Sequence, residues 1–381
     1  MKTNATWTYP TEIRIGRGRI EELGAVCRQL GMTRPLMVTN KGLASMAITR
    51  GARLALKEAG LDHALFSEID SNPSDRNLEA ALLLCRQGGH DGVVAFGGGS
   101  AMDIGKCLAV MAGQARSLWS YVDSPEGLKA ADERVILPLV AVPTTAGTGA
   151  EVGAASVITN TATEMRTYVS HPRMMPDVVI CDPELTVGMP KTITAGTGMD
   201  AFSHCLEAYC ARTYHPMAQG IAVEGMRLVK DFLPKAYTDP VDLEARLNMM
   251  SASIMGAIAR QKGLGAIHAL SNAIGVFHPI HHGTANAVLM PMVVAFNRKA
   301  IEHKIERLAG YLEIPGGFDG FYQFLLDFRT SLAIPRDLSE LGLVGDDIDR
   351  LTPIILRDQN AANNPVRLTE ESVIELLTGC Y

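Results

Sequence analysis

Apolar residues along the first half of the chain come in short unbroken runs separated by stretches with helical spacing. Pro35–Asn40, His63–Ile69, Asp91–Phe96, Val135–Val142 and Asp177–Cys181 read as strands rich in Val, Ile and Leu. Between them, residues 43–59, 75–87 and 100–112 place apolar side chains at three- and four-residue intervals, with Ser74 positioned as an N-cap. Strands that are apolar on both faces and alternate with helices predict a parallel sheet covered on both sides. From about Thr192 the pattern changes. Residues 194–211, 217–232, 243–259, 265–274, 285–312, 318–332 and 370–377 all carry helical periodicity, and strand signals nearly vanish. The stretch Pro183–Pro190 (PELTVGMP) fits neither pattern. The chain therefore divides into an α/β domain over residues 1–187 and an all-helical domain over 188–381.

Composition narrows the class. The 381 residues are 47% hydrophobic and 20% charged, enough for a sizeable core. A net charge of −6, with no basic stripe interleaved with aromatics, argues against a nucleic-acid partner. The opening MKTNATWTYP lacks the apolar stretch of a signal peptide, and runs such as 135–143 and 287–296 are too short to span a bilayer. Seven scattered cysteines without a CxxC pair read as reduced core thiols in a cytoplasmic protein.

Four segments carry chemistry. GGGSAMDIGK (Gly97–Lys106) follows a strand and opens a helix, where glycine permits close approach of a phosphate to backbone N–H groups at a positive helix end. Standing alone, it is equally well explained as a tight structural turn. PTTAGTGAEV (Pro143–Val152) puts three threonines at the carboxyl end of the next strand, where open α/β sheets bind ligands. Two such loops after consecutive strands favour a ligand over a turn. Asn40 ends the first strand, where an acidic residue commonly holds an adenosine ribose; Asn does not repel a 2′-phosphate, so NAD and NADP both stay open.

In the helical half, GMDAFSHCLEAY (Gly198–Tyr209) places Asp200 and His204 one turn apart on one helix face. HALSNAIGVFHPIHH (His268–His282) supplies two more imidazoles, fourteen positions apart, with His282 expected at a turn before Gly283. An Asp–His ion pair and ordinary core histidines account for each piece separately. Together, one carboxylate and three imidazoles make a ligand set for Fe(II), Zn(II) or another borderline divalent ion.

Taken together, the four motifs resemble those of the iron-containing (group III) alcohol dehydrogenases in order and spacing over nearly the whole chain. The resemblance implies an N-terminal dinucleotide-binding domain, a C-terminal helical metal domain and an active site in the cleft between them. It assigns the metal to Asp200, His204, His268 and His282, with Fe(II) ahead of Zn(II). It assigns NAD or NADP to Gly98, Gly99, Ser100, Thr144, Thr145 and Thr148, with Asn72, Asp103 and Asn40 nearby. The implied reaction is hydride transfer between a small alcohol or aldehyde and nicotinamide, the metal polarising the substrate oxygen at His268 and His282. A homodimer or larger homo-oligomer is implied as well. Many members carry a second His four residues after His268 as a proton relay. Here that position is Asn272, which cannot titrate near neutrality, leaving His278 or solvent for the proton.

Two other readings share these residues. A lyase like dehydroquinate synthase needs several cations for phosphate and carboxylate, whereas residues 263–286 hold no Lys or Arg and those elsewhere in 194–286 read mainly as surface positions. A non-catalytic nucleotide-binding relative would explain Asn272 but not the survival of all four ligands.

Overall fold

The computed structural model describes residues 11–381 except Pro125, Glu164 and Pro279, and residue 346 in its backbone alone. The opening decapeptide, read above as lacking a signal sequence, lies outside the described residues. The first compact unit runs to Thr145 and resumes over Ala150–Val187. Its strands are β1 (Glu12–Ile15), β2 (Pro35–Val38), β3 (Ala64–Phe66), β4 (Gly92–Gly97), β5 (Leu139–Pro143), β6 (Ala155–Asn160), β7 (Met165–Ser170) and β8 (Val178–Cys181). Its helices are α1 (Leu23–Gln29), α2 (Ala47–Glu58), α3 (Asp75–Gly88), α4 (Gly99–Met111) and α5 (Leu118–Val122).

Six strands form one parallel sheet in the order β1-β8-β5-β4-β2-β3, and β6 and β7 form a separate antiparallel hairpin. Strands β2, β4, β5 and β8 are buried along their whole length, as runs apolar on both faces require. One face packs Leu23, Val26, Leu56, Phe96 and Ile180 against α1 and α2. On α4, Gly105 lets the helix press on β4, since a Cβ there would lie 2.6 Å from that of Ala95. At Ser74 the N-cap expectation holds: its backbone N–H donates to Asn77 at 2.9 Å.

The expected strand over 135–142 is shorter, because Glu133–Val135 forms a 3-10 turn before β5 begins. Elements β1, α1, α5 and the hairpin β6–β7 were not expected from the pattern. All seven cysteines are free and buried.

The second unit comprises Gly188–Tyr381 together with the short segment Ala146–Gly149. It holds α6 (Lys191–Cys210), α7 (Pro216–Thr238), α8 (Leu243–Ala259), α9 (Ala266–Phe277), α10 (His282–Tyr311), α11 (Gly317–Ser331), α12 (Ile348–Arg357) and α13 (Glu370–Thr378). Helix α12 was not expected; Pro353 inside IDRLTPIILR obscures its periodicity. Helix α7 runs through Pro234 to Thr238, past the expected end at Phe232.

Helix α6 is the axis of this unit and is buried from Thr194 to Cys210. Small residues let its neighbours close in. A Cβ on Gly225 would meet Cys205 Sγ at 2.6 Å, and one on Gly256 would meet Ala201 O at 3.0 Å. The two glycines of the Thr-rich loop have the same use: Cβ atoms there would lie 2.7 Å from that of Thr197 (Gly147) and 2.3 Å from that of Ala257 (Gly149).

The two ends of α6 explain cations that the sequence placed on the surface. Arg246 and Lys262 are in fact 1% and 3% exposed. Arg246 donates to Thr194 Oγ1 at 2.9 Å near the start of α6. Lys262 donates to the carbonyls of Ala208 (2.9 Å), Tyr209 (3.2 Å) and Ala211 at its C-terminus, where a cation also opposes the negative helix end. Lys262→Met is expected to leave those carbonyls unpaired and to cost about 1–3 kcal/mol, read as a lower midpoint in urea with an unchanged slope.

Candidate metal centre

Helix α6 presents Asp200, His204 and Glu207 at i, i+4 and i+7, one buried face of successive turns. Helix α9 delivers His268 in its first turn, and His282 is the first residue of α10. His282 was expected at a turn; its backbone is instead already helical, with His281 as the N-cap. Glycines set the depth of this convergence. A Cβ on Gly283 would fall 2.1 Å from Gly196 O and 2.8 Å from the Asp200 Cβ, so α10 starts almost in contact with the α6 backbone.

Donor atoms of Asp200, His204 and His268 all lie within 4.8 Å of one another. Both His268 Nε2 and His282 Nε2 are 3.9 Å from Asp200 Oδ1. The His204 and His268 rings stack with centroids 4.6 Å apart, and the His282 ring centroid is 5.4 Å from that of His268. A cation with bonds of about 2.1 Å would draw its ligand atoms to roughly 3–3.5 Å separations, a closure on the scale of side-chain adjustment.

The electrostatics ask for such a cation. Burial raises the Asp200 carboxyl, against the pull of His268 and a hydrogen bond from Asn286. Burial, reinforced by His268, Arg260 and His282, drives His204 well below its ordinary value, so its imidazole is neutral and ligand-competent. His204 Nδ1 is buried without a hydrogen-bond partner. A buried carboxylate facing the neutral His204 imidazole, with an orphaned ring nitrogen, is the donor set that a divalent metal satisfies.

Three groups around the ligands escaped the sequence reading. Glu207 Oε2 accepts from His268 Nδ1 at 2.6 Å, and Oε1 accepts from the Ile267 N–H at 2.6 Å. That bond puts the ring proton on Nδ1 and leaves Nε2 for the metal. Asn286 donates to Asp200 Oδ1 at 2.7 Å, and Asn364 Oδ1 accepts from the Ala266 N–H at 3.1 Å, anchoring the start of α9. Glu207 and Asn286 were within reach of sequence reasoning, lying at i+3 from His204 and i+4 from His282. Nothing local marks Asn364, 98 positions from its partner. Glu207→Gln is expected to weaken metal binding about 10–100-fold, measured by competition with a chromophoric chelator.

The other sequence-named residues fall as follows. His278 caps the far end of α9, roughly 15 Å along the helix from His268, with its Nε2 2.9 Å from Asp347 Oδ2. Asn272 donates to Asp358 at 3.0 Å.

In the α/β unit, Asn40 follows β2 and Gly97–Ser100 follow β4, the adjacent strands at which the strand order reverses. Open sheets bind ligands at that switch point. Asn40 donates to Ser100 Oγ at 2.9 Å. Gly97 sits at φ 151° with its missing Cβ 2.8 Å from Asn40 Oδ1, so no other residue fits. Gly98 is the N-cap of α4, Gly99 its first residue, and the free N–H groups there are suited to phosphate. Thr144 and Thr145 stand at the end of β5, while Thr148 belongs to the segment counted with the helical unit. Asp103 lies 3.5 Å from buried Lys106, and Asn72 is exposed in the loop after β3.

A parallel nucleotide-type sheet followed by a helical unit gathering Asp and His ligands has the parts of an enzyme that uses a nucleotide cofactor and a metal. Two family models match the chain: iron-containing alcohol dehydrogenase over residues 10–183, and the C-terminal region of the Fe-containing alcohol dehydrogenase family over 194–381. The chain belongs to the iron-containing alcohol dehydrogenase family. It is 38% identical over 367 residues to a 4-hydroxybutyrate dehydrogenase of Cupriavidus necator, covering 94% of each chain. It is 33% identical to an NAD-dependent methanol dehydrogenase of Bacillus methanolicus, covering 95% of this chain and 96% of the other. The solved structure of a 1,3-propanediol oxidoreductase superposes with a TM-score of 0.92 at 31% identity, covering 99% of this chain and all of that one. The protein is thus an oxidoreductase, a metal-dependent alcohol dehydrogenase linked to a nicotinamide cofactor. No helix among the described residues is long and apolar enough to cross a membrane.

Proposed function

We propose that Asp200, His204, His268 and His282 together hold one divalent ion, Fe(II) in first place and Zn(II) in second, and that the enzyme interconverts a small primary alcohol and its aldehyde. The observation carrying this reading is the convergence of three buried groups, Asp200, His204 and His268, with donor atoms within 4.8 Å of one another. When bound, the ion lowers the pKa of the substrate hydroxyl and polarises the carbonyl in the reverse direction. Glu207 fixes the His268 tautomer, Asn286 orients Asp200, and the buried walls of α6 and α9 exclude water from both. Asn272 cannot titrate near neutrality and His278 faces Asp347, so the hydroxyl proton goes to solvent.

NAD or NADP is the cofactor in this reading, with Gly98, Gly99 and Ser100 at the pyrophosphate, Asn40 and Asn72 toward the adenosine ribose, and Asp103, Thr144, Thr145 and Thr148 completing the loops. The switch-point position of the first loop supports it. Residues 1–187 and 188–381 act as the cofactor and metal domains of a cytoplasmic homo-oligomer. The test is elemental analysis of protein purified without chelator, followed by turnover of short alcohols with NAD and with NADP. Metal-free protein with full turnover would overturn the reading.

A further inference from the structure

Arg260 stands out among the cations of the helical unit. It is the C-cap of α8 and opens the 3-10 turn Arg260–Lys262. One turn earlier, Gly256 lies against the metal-binding helix, where a Cβ would come within 3.1 Å of the His204 Cβ. Arg260, at i+4, continues that face, and so leaves α8 beside His204. Its charge is felt at the site: it pulls the Asp200 carboxyl down and pushes the His204 imidazole down more strongly than His282 does.

The cations at the two ends of α6 hydrogen-bond to protein oxygens. Lys262 and Lys304 end on carbonyls at the end of α6, and Arg246 on Pro240 O and Thr194 Oγ1. The half-buried guanidinium of Arg260 has no hydrogen bond, ion pair or ring contact among the described residues. A guanidinium presents five donors in a fork that matches a carboxylate. A bare one beside a site built for a divalent cation would be repelled by it, unless an anion comes to lie against both.

We infer that Arg260 recognises an anionic end of the substrate, so that the enzyme prefers short hydroxy acids to uncharged alcohols of the same length. This rests on the dehydrogenase reading above, in which the hydroxyl end is held at the metal ligands.

The test compares 4-hydroxybutanoate with 1,4-butanediol on the metal-loaded enzyme, alongside calorimetric binding of 4-hydroxybutanoate and the KM for the cofactor. The wild type should favour the hydroxy acid. In Arg260→Met, the ratio of kcat/KM for the acid over the diol should fall about a hundredfold, with a matching loss in binding. Arg260→Lys should recover part of it, since it keeps the charge and loses the fork. Metal content and thermal midpoint should stay at wild-type values. Equal losses on both substrates would overturn the inference, as would an effect confined to the cofactor KM, which would give the anion to a cofactor phosphate. Wild-type enzyme using the diol but not the acid would overturn this inference alone. Inertness toward both would overturn the dehydrogenase reading with it.

Discussion

His268→Ala is expected to yield a folded protein that neither retains a stoichiometric metal ion nor turns over alcohols. His268 sits at the centre of the ligand cluster: it stacks on His204, approaches His282, and its Nε2 is 3.9 Å from Asp200 Oδ1. Truncation removes one donor and also strands Glu207, a 6%-exposed carboxylate that has lost its imidazole partner. A metal supplies several kcal/mol of charge stabilisation to such a reaction, and each 1.4 kcal/mol or so is a factor of ten, so kcat/KM should fall by roughly a thousandfold or more. Elemental analysis and steady-state rates on the same preparation check this. A variant that keeps its metal and a tenth of its activity would show that the four groups do not act as one site.

Gly283→Ala is expected to destabilise the helical unit and to pull the ligand cluster apart with a single added methyl group. The added carbon would lie 2.1 Å from Gly196 O and 2.8 Å from the Asp200 Cβ, and the first of these is backbone, with no rotamer to escape into. Helix α10 must move off α6, carrying His282 away from Asp200. Overpacking of this kind costs about 3 kcal/mol, which in a unit of this size lowers Tm by roughly 5–10 °C. Metal affinity should fall in the same variant, which separates this effect from Lys262→Met, where the cap lies at the opposite end of α6 from Gly196. Calorimetric scans with and without added metal measure both.

Much of the α/β unit was legible because its strands are buried on both faces, which writes them into the sequence as unbroken apolar runs. The exceptions are instructive. Strand β1 is a four-residue edge strand with a partly exposed face, and β7 is largely exposed, so neither produces such a run. Among the helices, α12 was hidden by Pro353 and α7 was cut short at Pro234, because a proline's disruption of a helix depends on whether neighbours absorb the lost hydrogen bond. The ligands Asp200 and His204 were readable as a pair because helical spacing alone puts them on one face. Their meeting with His268 and His282 was not, since that depends on how three helices pack.

The sequence by itself determined the buried strands and most of the longer helices, the change from α/β to helical, and the identity of the ligand-capable side chains, because periodicity and residue chemistry are local properties. Tertiary structure alone decided how close α6, α8 and α10 come at Gly196, Gly256 and Gly283, that Lys262 and Arg246 are buried, and that Glu207 and Asn364 hold α9 in place. Those are contacts between residues far apart in the chain, fixed by the packing of side chains in a dense interior, and no window of sequence contains both partners.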